Sequence, residues 1–286
     1  MRRKKRSPAF KIFFLHIPKT AGTSFVDTLR GWFPKADRAN YIEGLPGEAR
    51  GQLGAKSFVS GHLFWDEVHR LPCMGERRLI SVFRDPYARL ASHLRYMDRY
   101  SQPDYRDGFD AFDDDMKAIV ERISKLDFER PSDLESFFSD LSGWGRAAFD
   151  NSQTRFMTCD PGSEACSPYG ALSDGAIDLA LERLEALDMI GISEDLRTTI
   201  ERLALQIRLQ PPARIARSNT RSSVRKLDHR DPAIRAAMAP LVRFDERLYA
   251  RARTLFQQRA ALQPAGGVQA LGDWGGDPRA SQRVSP

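Results

Sequence analysis

An apolar run, Ile12 to Leu15, stops abruptly at His16-Ile17-Pro18-Lys19-Thr20-Ala21-Gly22-Thr23-Ser24. The run reads as a buried parallel strand. Thr23 or Ser24 can cap a following helix whose apolar face is Phe25, Thr28, Leu29 and Trp32. Strand, tight loop, helix is the arrangement that turns free backbone N–H groups towards an anion. The helix start adds partial positive charge, Lys19 adds a full one, and Gly22 permits close approach of a phosphate. An ordinary strand–turn–helix with a surface lysine is the alternative. The loop is not G-x-x-x-x-G-K-[ST], because Lys19 precedes Gly22, and no later strand ends in a magnesium-holding Asp. A metal-dependent kinase or ATPase is thereby disfavoured.

A second apolar run, Arg78 to Phe83, leads into Arg84-Asp85-Pro86 and a helical pattern from Tyr87 to about Arg99. Pro86 suits the first helical turn. Arg84 falls at the C-terminal end of a strand, where open α/β sheets bind ligands. Arg89, Ser92 and Arg95 follow at helical spacing. Arg and Ser can cradle a phosphate; an ion pair from Asp85 to Arg84 or Arg89 is the competing reading.

Taken together, His16 to Ser24 resembles the 5′-phosphosulfate loop of sulfotransferases that use 3′-phosphoadenosine 5′-phosphosulfate (PAPS). Phe83-Arg84-Asp85-Pro86, with Arg89 and Ser92, resembles their 3′-phosphate motif. The resemblance is to the carbohydrate type, which includes the heparan sulfate 2-O- and 6-O-sulfotransferases and bacterial relatives. Weaker echoes are Gly61-His62-Leu63-Phe64-Trp65, Asn151 to Phe156, and Ile190 to Glu194. The family implies an α/β, P-loop-like three-layer sandwich with a central parallel sheet flanked by helices. It implies a sulfotransferase domain over 11–260, with a nucleotide core at 11–100 and a helical acceptor region at about 100–170. Disordered tails are expected at 1–10 and 261–286.

The resemblance also assigns roles. Lys19 is the catalytic cation. Thr20, Ala21, Gly22, Thr23 and Ser24 form the cradle through N–H groups and hydroxyls, and Arg84 and Ser92 hold the 3′-phosphate. His62 follows the strand-like run Ser57 to Gly61 and is the expected base, with Asp66 or Glu67 to orient or replace it. It could instead only orient the loop. The 2-O type carries His-Gly-His where this chain has Ser60-Gly61-His62, while the 6-O type has one His near a Trp, as with His62 and Trp65. Gln153 and Arg155 match a segment near the acceptor; Arg155 either binds an acidic sugar or braces the cleft. Arg221 lies in a basic loop that could close over the nucleotide. PAPS is the expected cosubstrate, no metal is expected, and the acceptor is a carbohydrate or glycolipid.

Composition sets outer bounds. The chain has 286 residues, 41% hydrophobic content and a formal charge of +6, enough for one large α/β domain or two small ones. No apolar run reaches membrane-spanning length. No signal-peptide core or room for a Golgi-type anchor is visible, so a cytoplasmic, bacterial-type enzyme is expected. Met1 to Arg6 could touch anionic lipid, giving peripheral membrane contact, or form a solvated tail. No RNA-binding fingerprint is present, so no nucleic-acid partner is expected. Cys159 and Cys166 flank a turn-rich stretch that could close a disulfide, though a cytoplasmic location favours thiols. Asp113, Asp114 and Asp115 read as a metal site or, preferably, as the acidic start of a helix through Met116, Ile119, Val120 and Ile123. Gly143-Trp144-Gly145 reads as a loop, and Met189 to Ile192 as a further short strand.

Overall fold

The computed structural model describes residues 10–164, 167–216 and 225–261. Five strands form one parallel sheet: β1 Lys11–Leu15, β2 Arg38–Asn40, β3 Phe58–Gly61, β4 Arg77–Phe83 and β5 Met189–Ile192, in the order β2-β3-β1-β4-β5. The helices are α1 Gly22–Leu29, α2 Gly47–Gly51, α3 Trp65–His69, α4 Pro86–Asp98, α5 Arg106–Asp110, α6 Asp114–Ser124, α7 Pro131–Ser139, α8 Gly143–Phe149, α9 Ser152–Thr158, α10 Ala176–Glu185, α11 Leu196–Gln206, α12 Pro232–Met238 and α13 Arg243–Ala261.

The period-two alternation of β1 decides the layering. Ile12 and Phe14 pack with Phe25, Val26 and Leu29 of α1 and with Ile200 and Leu203 of α11. Phe13 and Leu15 face the other way, into a core with Val68 of α3, Ile177 and Leu184 of α10, and Phe244 and Leu248 of α13. Helices thus cover both faces, and the molecule is an α/β three-layer sandwich. A separate apolar cluster joins α4, α6, α7, α8 and α12 through Leu90, Leu94, Ile119, Phe137, Phe149 and Met238. Among the described residues no helix is long and apolar enough to cross a membrane.

The chain leaves β1 towards β2 and β3 and leaves β4 towards β5. The connections therefore diverge between β1 and β4, making their C-terminal ends the topological switch point where such sheets bind ligands.

Asp113 caps α6, its carboxylate accepting the Met116 N–H at 2.8 Å, while Asp115 accepts the Trp144 N–H at 3.1 Å. The acidic triplet is a helix start, as preferred. Gly143-Trp144-Gly145, expected as a loop, is the first turn of α8; the Asp115 carboxylate at its start and buried Ala147, Ala148 and Phe149 outweigh the poor helix propensity of two glycines. Residues 1–9, with the basic N-terminus, and 262–286 lie outside the described residues, as do Cys166 and Arg221. Cys159 is buried.

Candidate functional site

A cavity of about 850 Å³ opens at the switch point. Its floor is the loop between β1 and α1. Lys19 and Ala21 both adopt φ of 69°, and Thr20 between them does not; such alternation builds anion-binding concavities. The ladder of α1 begins with the Phe25 N–H, which donates to the Ala21 carbonyl at 2.9 Å. Ala21, Gly22, Thr23 and Ser24 all line the cavity. Gly22 is needed for a reason the sequence does not reveal. A Cβ there would lie 1.9 Å from His16 Nε2, so the His16 ring, rather than a ligand, occupies the space its missing side chain leaves.

Thr20, expected to lend its hydroxyl to the cradle, does not do so. Its side chain is fully buried, and its hydroxyl donates to the Ile17 carbonyl at 2.9 Å. That hydroxyl closes the turn and does not face the cavity.

Lys19 points into the cavity, with Nζ 3.9 Å from the centre of the Tyr96 ring. Burial, and then the guanidinium groups of Arg99, Arg84, Arg89 and Arg95, push its ammonium down to about 7. Arg99 stands 4.0 Å from the same ring centre and also lines the cavity. The sequence pattern marked Arg99 only as a helix end.

Arg84 follows β4 directly. Its Nη1 donates to the Lys19 carbonyl at 3.0 Å, joining the two loops of the switch point. Ser92 lies two helical turns along α4 and lines the same cavity. Asp85 caps α4, its carboxylate accepting the Ala88 N–H at 2.8 Å. Arg89 is wholly buried and donates to the Ala148 carbonyl at 3.0 Å.

Gln153, expected at the acceptor, and Arg155, expected either to bind an acidic sugar or to brace the cleft, are both fully buried. The Gln153 amide accepts the Arg84 N–H and donates to the Arg84 carbonyl, each at 3.0 Å, clamping that residue's backbone. Arg155 donates to the carbonyls of Asp150, Pro168 and Gly170 and pairs with the Asp150 carboxylate. It braces the segment after α9, and no part of it reaches the cavity. A buried, fully engaged guanidinium cannot meet an acceptor without breaking these bonds. Asp245 completes the scaffold by accepting the N–H groups of Gln153 at 3.1 Å and Thr154 at 2.7 Å.

Across the cavity, His62 follows β3. Its Nδ1 donates to the His16 carbonyl at 2.6 Å, which leaves the lone pair on Nε2. Burial lowers the imidazole below its usual range; Glu43 and the His16 carbonyl oppose that shift, and Lys19 adds to it. The His62 ring sits 4.2 Å from the ring of His16, itself held well below the usual range by burial. The two imidazoles stand side by side, and burial disfavours the charged form of each.

The expected helpers of His62 are engaged elsewhere. Asp66 pairs with Arg183 at 3.0 Å, and Glu67 accepts the Phe64 N–H at 2.9 Å. The carboxylate beside His62 is Glu43, whose Oε2 accepts the His62 N–H at 3.0 Å. Glu43 was not found from sequence. It lies in a short turn after the polar edge strand β2, nineteen positions away, with no local motif to mark it.

No family model matches the chain, and no curated protein matches it.

Proposed function

We propose that the chain is a PAPS-dependent sulfotransferase of the carbohydrate type, built on a P-loop-like nucleotide fold, acting on a hydroxyl of a carbohydrate or glycolipid. One observation carries the reading. The Lys19 loop and the Arg84–Ser92 segment meet at a single switch point, bonded to each other, on a cavity that also holds a histidine with its lone pair on Nε2. The residue types suit a polyanionic nucleotide. Among the described residues, Lys19, Arg84 and Arg99 face the cavity with one acid, Glu43, and the volume falls in the range of small-molecule sites.

The phosphosulfate supplies an activated sulfuryl group. In the proposed reaction the acceptor oxygen bonds to sulfur as the bond from sulfur to the 5′-phosphate oxygen breaks. Lys19 meets the charge growing on that leaving oxygen, with the first turn of α1 supplying donors. His62 Nε2 takes the hydroxyl proton. Arg84 and Ser92 hold the 3′-phosphate, and Gln153 positions Arg84. The positive field comes from the protein, so the reading requires no metal.

The test is label transfer. The protein is incubated with radiolabelled PAPS and a chelator, and separately with labelled ATP and magnesium, against a panel of glycans and glycolipids. Transfer from PAPS without divalent metal is the expected result. Magnesium-dependent transfer from ATP alone would replace the reading with a P-loop-like nucleotide kinase. Nucleotide binding without turnover would replace it with a binding module.

A further inference from the structure

The cavity is electrically divided. Its cations, Lys19, Arg84 and Arg99, come from the β1–α1 loop, the end of β4 and the end of α4. The wall contributed by the helical region is Phe112, Met116, Trp144, Ala147, Phe156 and Tyr169, lined otherwise by small neutral residues. Among the described residues that wall carries no charge. Two arginines of that region are engaged elsewhere: Arg155 is locked into its brace, and Arg146 donates to the Leu141 carbonyl and lines a different, smaller pocket. Among the described residues, the charged groups acting on His62 are Lys19 and the carboxylate of Glu43.

Aromatic side chains continue to the rim. Phe64, two residues after His62, stacks on Phe156 with ring centres 4.7 Å apart. Tyr41 and Tyr169 are 46% and 49% exposed and are two of the three exposed large hydrophobics among the described residues; both line this cavity. Exposed aromatic surface gathered at one mouth marks a recognition surface.

We infer that the acceptor is an electrically neutral alcohol with an apolar body, of the aryl or alkyl glycoside class, seated between His62 and the helical wall. The inference rests on the sulfotransferase reading and narrows it. With Lys19 and Arg84 taken up by the nucleotide in that reading, an acidic sugar seated on the helical wall would bring its carboxylate towards Glu43 or a surface with no counter-charge among the described residues, and an unpaired buried charge is strongly disfavoured. A neutral ring can lie on Tyr169 and the Phe64–Phe156 pair while offering a hydroxyl to Nε2 of His62.

The test is calorimetric titration of the full chain saturated with 3′-phosphoadenosine 5′-phosphate (PAP). The probes are phenyl β-glucoside, phenyl β-glucuronide and methyl β-glucoside. The phenyl glucoside should bind at least tenfold more tightly than either of the others. Tyr169→Ala, a change at an exposed rim position, should weaken it about tenfold and leave PAP affinity unchanged. Met116→Arg, which places a cation on the wall, should shift preference towards the glucuronide. Equal or tighter binding of the glucuronide to the wild-type chain overturns the inference, as does no binding of the phenyl glucoside or an unaltered affinity in Tyr169→Ala. The underlying reading fails at a different point, in the nucleotide titration that precedes any acceptor, if PAP binds no better than AMP.

Discussion

Replacing Gly22 with alanine probes the packing that connects the Lys19 loop to His62. The new Cβ would stand 1.9 Å from Nε2 and 2.0 Å from Cδ2 of His16, against the roughly 3.5–4 Å at which such atoms rest. The ring has nowhere to retreat. It is buried, stacked on Phe14 with centres 5.2 Å apart, and 4.2 Å from His62 on another side. Either the start of α1 or the imidazole pair must shift. Overpacking of this kind costs about 1–3 kcal/mol, which lowers the folding equilibrium constant by roughly 5- to 150-fold. Urea unfolding followed by tryptophan fluorescence should show a lower midpoint with an unchanged slope. The His16 carbonyl also orients His62, so turnover of the folded fraction should fall as well. A second variant locates the cause. His16→Ala removes the clashing ring, so the double variant should be more stable than the sum of the single effects by about 1 kcal/mol or more. Wild-type stability in Gly22→Ala, or strict additivity of the two changes, would refute the packing argument.

Other expectations follow from the same geometry. With its ammonium near 7 in the unliganded cavity, Lys19 should take up about half a proton at pH 7 when a polyanion binds and restores the charged form; calorimetry of PAP binding in buffers of different ionisation enthalpy measures this. Lys19→Ala should abolish the uptake and reduce turnover far more than PAP affinity. His62→Ala should lose about 10²–10⁴ in rate. The wild-type rate should fall below the usual histidine range, because burial lowers the imidazole and protonation of Nε2 removes the base; persistence of that acid limb in His62→Ala would assign it to Glu43 or another group. Arg155→Lys should lower stability by about 3–5 kcal/mol, since one ammonium cannot replace bonds to three carbonyls and Asp150, while the acceptor KM of folded protein stays unchanged.

The sheet core was legible because its strands are short apolar runs bounded by polar breaks. Ile12 to Leu15, Arg78 to Phe83 and Met189 to Ile192 all lie in strands at those positions. The edge strand Arg38–Asn40 was not legible: three half-buried residues with no apolar alternation carry no pattern. Nor was α9, a helix whose residues are all buried and mostly polar, so that no amphipathic face exists. The site divides along the same line. Lys19 and Arg84 follow directly from strand ends and could be placed from local sequence. The burial of Thr20, Gln153 and Arg155 could not, because residue type alone does not say whether a polar side chain faces a ligand or a carbonyl deep in the fold. Glu43 reaches His62 only through the β2–β3 pairing, a tertiary relation with no sequence signature.

The central claim is that this cavity reads a nucleotide bearing a 3′-phosphate, and calorimetric comparison of PAP with AMP tests it most directly. Both ligands present the 5′-phosphate to the Lys19 loop, and only PAP offers a phosphate to Arg84 and Ser92. Charge-assisted hydrogen bonds contribute about 1.5–3 kcal/mol each, so even one such bond from Arg84 should make PAP bind roughly 10- to 150-fold more tightly. Arg84→Ala should erase most of that difference; any weakening through the lost bond to the Lys19 carbonyl falls on AMP and PAP alike. Equal affinity for PAP and AMP in the wild-type chain would contradict the account.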